Sequence, residues 1–464
     1  MLNGGLPRGG AYFVIGPPGA GKTVLALQMS FQSARAGLPV VFLTTLSESH
    51  DKLLAHAGTL SFYDRELVGN GIELINLQSL IETSPEAAVS GIVSAARSTR
   101  AGLVAIDGFS GMGGFFESDL AARQFLYELS TKLGVLGITL LVGLQGDPLR
   151  MSDRPELTVA DGVLALYREP AGAAHRRYLE AAKVRGVPHL RGVHSFTITP
   201  QGLTVYPQQE ALPPPEPLGF GPDRAPFDIP ALDAMLGGGL NQGTLTVLAG
   251  GPGTGKTLAG LHFLKAGVSR GEPGLLLGFR EAESQLLARA ASVGFDLGSA
   301  LKRGQVQVVT YPPVWLDPDV IVHDLRNRVE AAAIRRLVID SADELERSLA
   351  PERAADFLAA LVAFLRGYPA TTLLTHEAPR ASPTTIGLSP AASVLAENLV
   401  LFQAVVYRAE IQRILSVLKM RFSDHDRSLR EFTIGTQGIR VLGPDDSAPD
   451  VIGLIEGRSS EDAE

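Results

Sequence analysis

The 464-residue chain contains no cysteine. That excludes disulfides, thiolate metal sites and a cysteine nucleophile, and it fits a reducing compartment, with the cytoplasm as the default location. Charged residues make up only 19% against 45% hydrophobic ones, a balance that buries full cores and excludes a disordered chain. No apolar run reaches the ~18 residues of a spanning helix, so no membrane segment is expected. The opening MLNGGLPRGGAYFVIG lacks the basic start and small-residue cleavage site of a signal peptide. Positive charge is also scarce. The net charge is −8; Asp445–Glu464 holds seven acids and one arginine and so contributes −6, leaving −2 for the other 444 residues. A near-neutral body has no gross basic footprint for nucleic acid, and such a partner is not expected.

What the chain does have is internal repetition. GGLPRG from Gly4 recurs as GGLNQG from Gly238, and GPPGAGKT (Gly16–Thr23) recurs as GGPGTGKT (Gly250–Thr257). LVAID ending at Asp107 recurs as LVID ending at Asp340, and AKVR with Lys183 recurs as LKMR with Lys419. These landmarks keep one order at offsets of 233 to 236 residues, so each copy is a whole domain. The expected division is a first domain over 1–207, a Pro-rich linker over 208–226, a second domain over 227–444 and an acidic, disordered tail over 445–464.

Short apolar runs alternate with longer amphipathic stretches. AYFVIG, VVFLTT, LVAID and TLLVGL in copy 1 match TLTVLAG, GLLLGF, RLVID and TTLLTH in copy 2. Such runs read as buried parallel strands joined by helices. HSFTITPQGLTVYP and LREFTIGTQGIRVLG then read as antiparallel hairpins with glycine at the turn. The fold class is α/β, with a mainly parallel sheet flanked by helices in each copy.

The chemistry sits in the two G-x-x-x-x-G-K-T loops, each between an apolar strand and a helix. Backbone N–H groups of such a loop hold phosphate oxygens, and glycines permit the close approach. The binding set is Gly16, Gly19, Gly21, Lys22 and Thr23 in copy 1. In copy 2 it is Gly250, Gly253, Thr254, Gly255, Lys256 and Thr257. The lysines neutralise β- and γ-phosphates, and Thr23 and Thr257 ligate Mg²⁺, with Asp107 and Asp340 holding the metal's water shell from their strand ends. ATP and Mg²⁺ are the expected cofactors. Water must also be oriented; Glu48 in copy 1, and Glu281 or Glu283 in copy 2, follow the next strand. Lys183 with Arg185, and Lys419 with Arg421, are spaced to share one strand face and offer paired cations to an anion.

From Leu2 to about Val441 these residues resemble the KaiC family, the circadian-clock ATPase branch of the RecA-like superfamily, in its two-domain bacterial form. LDAMLGGGL (Leu232–Leu240) resembles the family's opening motif, and LKMRFSDHDRSLREFTI (Leu418–Ile434) its segment that contacts a neighbouring subunit's nucleotide. The resemblance implies two RecA-like domains, a double-ring homohexamer with ATP at subunit interfaces, and regulatory protein partners whose identity it does not give. It also implies that Lys419 and Arg421, and likewise Lys183 and Arg185, act in trans. Departures are visible. Where the family typically has two adjacent glutamates, copy 2 has Arg280-Glu281 and copy 1 Leu46-Ser47-Glu48. The family's phosphorylated Ser-Thr pair falls at Ser393-Val394, leaving one hydroxyl for any serine/threonine autokinase activity.

Three readings follow. The first is a hexameric ATPase working in signalling. The second is a DNA-dependent motor, for which Arg150, Arg154 and Arg380 and a pore-lining Phe115-Phe116 would speak, unless those phenylalanines are core. The third is a nucleotide-gated scaffold with negligible hydrolysis. His50, His56 and His425 have no ligand spacing, and residues 376–393 read as a mobile loop.

Overall fold

The computed structural model describes residues 1–45, 50–82, 84–171, 174–219, 221–313, 316–378, 396–407 and 410–443. The chain forms two compact units, Met1–Leu212 and Pro213–Glu464. The segment 208–226 divides between them. Gln208 N donates to His194 Nδ1 at 3.1 Å in the first unit, while Leu218 N donates to the Arg366 carbonyl at 2.9 Å in the second.

Nine strands build the first unit: β1 (Ala11–Gly16), β2 (Val40–Thr44), β3 (Ile72–Asn76), β4 (Leu103–Ile106), β5 (Thr139–Gln145), β6 (Gly162–Ala171), β7 (Ala174–Val184), β8 (Val193–Thr199) and β9 (Gly202–Tyr206). They form one sheet in the order β3-β2-β4-β5-β1-β6-β7-β8-β9. The part from β3 to β6 is parallel, and β7, β8 and β9 extend it antiparallel. Every residue of β1 and β2 is buried, because helices cover both faces. Tyr12 and Val14 point toward the helix Lys22–Arg35, and Phe13 and Ile15 toward the helices Pro85–Ser98 and Asp119–Val135. That two-sided burial is why the strands read as unbroken apolar runs.

The second unit opens with a small ribbon, β10 (Arg224–Ala225) and β11 (Leu240–Asn241). Its main sheet has β12 (Leu245–Gly250), β13 (Gly274–Gly278), β14 (Val306–Thr310), β15 (Arg336–Asp340), β16 (Thr371–Glu377), β17 (Asn398–Tyr407), β18 (Glu410–Met420), β19 (Arg430–Gly435) and β20 (Gly438–Val441). The order β14-β13-β15-β16-β12-β17-β18-β19-β20 repeats the first sheet strand for strand. These are two tandem RecA-like α/β units. Both hairpins expected near the end of each copy are present, as β8–β9 and β19–β20. The strand ending in TTLLTH runs on through Glu377, so His376 and Glu377 are strand residues and not loop. Residues 379–395, with Arg380 and Ser393, and residues 444–464 lie outside the described residues. Phe115-Phe116 belong to the core: Phe116 is buried against Phe109 and Phe125. Among the described residues no helix is long and apolar enough to cross a membrane.

One clamp recurs in both units. Gln28, on the helix after the first phosphate loop, accepts from Leu203 N at 2.7 Å. His262, six residues after Lys256 as Gln28 is after Lys22, accepts from Ile439 N through Nε2 at 3.1 Å. Each ties that helix to the last hairpin. The residue before the clamped amide is glycine for a reason: a Cβ on Gly202 or Gly438 would sit 2.6 Å from Gln28 Oε1 or 2.2 Å from His262 Nε2.

His262 must stay neutral to accept. Burial, with Lys265 adding to it, holds its pKa down to about 4. Between about pH 6.5 and that value the unfolded chain binds a proton that the folded chain does not, so stability falls as pH falls. At 1.36 kcal/mol per pKa unit the loss is about 3 kcal/mol. Denaturant titrations at pH 7 and pH 4.5 of the parent and His262→Gln check this. The glutamine variant is expected to shed this contribution to the acid sensitivity of the second unit.

Candidate nucleotide sites

In both units β1 or β12 ends at the phosphate loop, and the loop delivers its lysine as the first residue of a helix. Gly21 and Gly255 take left-handed backbone, φ 108° and 102°, at the helix N-caps. Lys22 Nζ donates to the carbonyls of Gly16 at 2.8 Å and Pro17 at 2.9 Å. Lys256 Nζ donates to Gly250 at 2.7 Å and Gly251 at 2.8 Å. Burial pushes both lysines below the usual range, opposed by Asp107 in one site and by Asp340, Glu377 and Asp343 in the other. A partly desolvated ammonium at a helix N-terminus is built to meet an anion.

Thr23 Oγ1 donates to Asp107 Oδ2 at 2.7 Å, and Thr257 Oγ1 to Asp340 Oδ2 at 2.7 Å. These hard oxygen pairs suit Mg²⁺ held mainly by phosphates and water. Among the described residues no group of three or more His, Asp or Glu is placed to hold a metal by itself. The second site adds a donor: Thr375 Oγ1 bonds Asp340 Oδ1. At the matching place in the first site is Gly143, where a Cβ would lie 3.2 Å from Asp107 Oδ1.

An open cleft of about 230 Å³ joins Gly253, Thr254, Gly255, Lys256, Thr257, Asp340 and Glu281. Glu281 Oε1 pairs with Arg289 at 3.0 Å, while Oε2 is buried with no hydrogen-bond partner. Burial pushes this carboxyl up, Arg289 opposes the shift and Asp340 adds to it. The N-terminal residue of helix Glu283–Ser292 is Glu283 itself, and it does not line that cleft. Glu48 lies outside the described residues.

The paired cations sit elsewhere. β7 ends at Val184 and β18 at Met420, so Arg185 and Arg421 lie one residue past the strand rather than on its face. Lys183 Nζ donates to the Ala160 carbonyl and Lys419 Nζ to that of Ala396 at 2.7 Å. Each lysine is lowered by burial and then by its arginine, so the two charges do share one field. By register, Val184 faces Gly162, which faces Tyr12. The strand then runs four residues on to Gly16, about 13 Å at ~3.3 Å per residue. The cations therefore lie at the opposite sheet edge from their own phosphate loop. One chain does not bring them together.

Sequence reading missed three features. Arg177 and Arg413 occupy matching places, six residues before Lys183 and Lys419, and each has a buried Nε with no hydrogen-bond partner; their common offset was the available signal. Arg168 Nη1 lies 3.4 Å from where a Cβ on Gly19 would be. Around the second site stands a charged network of Arg280, Glu344, Arg347 and Glu377. Arg154, considered for DNA, is instead tied to Glu156 and the Gln145 carbonyl.

The profile of the KaiC ATPase family matches residues 1–210 and 225–446, one span per unit. The circadian clock oscillator protein KaiC of Thermostichus vulcanus is 26% identical, over 98% of this chain and 89% of its own length. That of Synechococcus elongatus is 26% identical over 94% of this chain and 86% of its own. The circadian clock protein KaiC3 of Synechocystis sp. is also 26% identical, over 98% and 92%. With nearly the whole chain matched and both phosphate sites built, this protein belongs to the KaiC ATPase family.

Proposed function

We propose that the chain hydrolyses Mg·ATP at subunit interfaces of a double-ring homohexamer and uses the cycle to signal to protein partners in the cytoplasm. The observation that carries this reading is the duplicated lysine and Thr–Asp geometry, which agrees between the units to about 0.1 Å. Thr23 with Asp107, and Thr257 with Asp340, would hold Mg²⁺, which would supply charge neutralisation at the γ-phosphoryl group. Lys22 and Lys256 bind β- and γ-phosphate oxygens. Glu281 orients the attacking water through Oε2, whose buried, unpartnered state suits a base. Lys183 with Arg185, and Lys419 with Arg421, serve a neighbour's site, since their own is at the far sheet edge. Such cations stabilise charge that develops in the transition state.

Glu281→Gln tests the water-orienting role. In a Lys22→Ala background, turnover is expected to fall about 100-fold, the low end for general acid–base catalysis, while ATP affinity stays within about twofold. Unchanged turnover with intact ATP binding would remove Glu281 from the mechanism.

A further inference from the structure

The second site carries a device that the first lacks. Arg280, two residues past β13, lines the cleft with Lys256, Thr257 and Asp340. Its guanidinium is held by two carboxylates, Glu344 at 2.5 Å and Glu377 at 2.7 Å. Glu377 is the strand residue directly opposite Gly250, where the phosphate loop begins. Arg347 holds the same two carboxylates, at 3.0 Å and 3.1 Å. Two arginines and two glutamates thus close a ring at the mouth of the site.

The ring is asymmetric in a useful way. Glu344 is 10% exposed and Glu377 28%, whereas Arg280 is 50% exposed. The carboxylates are fixed, and Glu377 is further held by its backbone N–H donating to Asp343 at 2.9 Å. Arg347 is 54% exposed, but of the two arginines Arg280 is the one that lines the cleft, so it is the member placed to turn toward a nucleotide. If it leaves, Arg347 still pairs with both carboxylates, so neither is left without a cationic partner. A guanidinium binds phosphate oxygens in the same forked geometry as a carboxylate. By offset and strand register the first copy has Leu46, Gly111, Gly114 and Gln145 at the four places, so it has no such exchange.

We propose that Arg280 reads the γ-phosphate in cis: a nucleoside triphosphate in the second site takes the guanidinium from Glu344 and Glu377, and a diphosphate leaves it there. This rests on the nucleotide-site reading above and assigns to the second unit its own means of telling ATP from ADP.

The test uses the full-length chain with Lys22→Ala, so that the second site is read alone. ATP and ADP affinities are measured for this parent, for Arg280→Gln and for Arg280→Gln/Glu377→Gln. Arg280→Gln is expected to cost about 10-fold in ATP affinity and less than twofold in ADP affinity, and the double variant to keep that loss. Equal weakening of both nucleotides, or no change, overturns the proposal. So does recovery of the ATP preference in the double variant, because Arg280 would then serve only to mask Glu377. A parent that binds neither nucleotide would instead overturn the nucleotide-site reading itself.

Discussion

Lys256→Ala is expected to abolish nucleotide binding in the second unit and leave the first unit's turnover in place, and Lys22→Ala to do the reverse. By the proposed mechanism each amine is the cation that meets a phosphate. Hydrogen bonds to charged groups contribute about 1.5–3 kcal/mol each. Losing one weakens binding about 10- to 150-fold, and losing two on the order of 100-fold or more. The alanine also removes the amine's bonds to two loop carbonyls, but the left-handed glycines and the helix N-terminus remain, so the loop is expected to keep its path. Phosphate release from Mg·ATP by the full-length protein, both single variants and the double variant reads the two sites separately. Turnover lost mainly in one variant identifies the working unit. Turnover that rises with added DNA would favour the motor reading, with the steep salt dependence of phosphate contacts. Tight ATP binding with no turnover in any protein would favour a nucleotide-gated scaffold.

Mixing two inactive variants should restore activity. In a Lys22→Ala background, Lys419→Ala/Arg421→Ala keeps its own phosphate loop but offers no cations, and Lys256→Ala offers cations but holds no nucleotide. Charge-stabilising groups supplied across an interface are worth about 10³–10⁵ in rate, so each alone should fall by at least about 10³. In randomly mixed rings about one site in four combines an intact loop with intact neighbouring cations, as a head-to-tail interface requires. Recovery of roughly a quarter of parental turnover is the expected result. Mixed oligomers, verified by differential tags, that stay inactive would refute action in trans. The physical ground is the register: Lys419 pairs with Leu399, near the start of β17, while the loop follows the far end of β12.

Much of this was legible because it is local. A phosphate loop is a run of eight residues whose backbone path its own glycines dictate, so two copies in the sequence became two loops in space. Buried central strands were equally plain. The edge strands β3 and β14 were not. IELIN and VQVVT are only partly buried, and their polar residues break the apolar run by which a strand is read. Arg280 illustrates a different limit. Its partners lie 64 and 97 residues away, and no periodicity marks a contact of that kind. The Lys–Arg pairs were found by their repeat, yet the strand stops one residue short of each arginine, at a bend that spacing alone does not encode. The residues carrying acid sensitivity were hidden as well: His262 stands where the first copy has Gln28, and only the shared amide contact shows that they do the same job.

Loop and cations at opposite ends of one sheet, after β12 and at the end of β18, have a consequence for the proposed ring. In the proposed ring each subunit would be both receiver and sender. It would receive the neighbour's charge at one end of its strands and send its own at the other, through β12, β17 and β18, which are hydrogen-bonded side by side. The clamp from His262 to Ile439 joins the loop's helix to that same body. In that ring a tilt on nucleotide loss at one interface would displace what is presented at the next. In such a closed circle the interfaces would keep time with one another, and a single stalled subunit would slow the whole round.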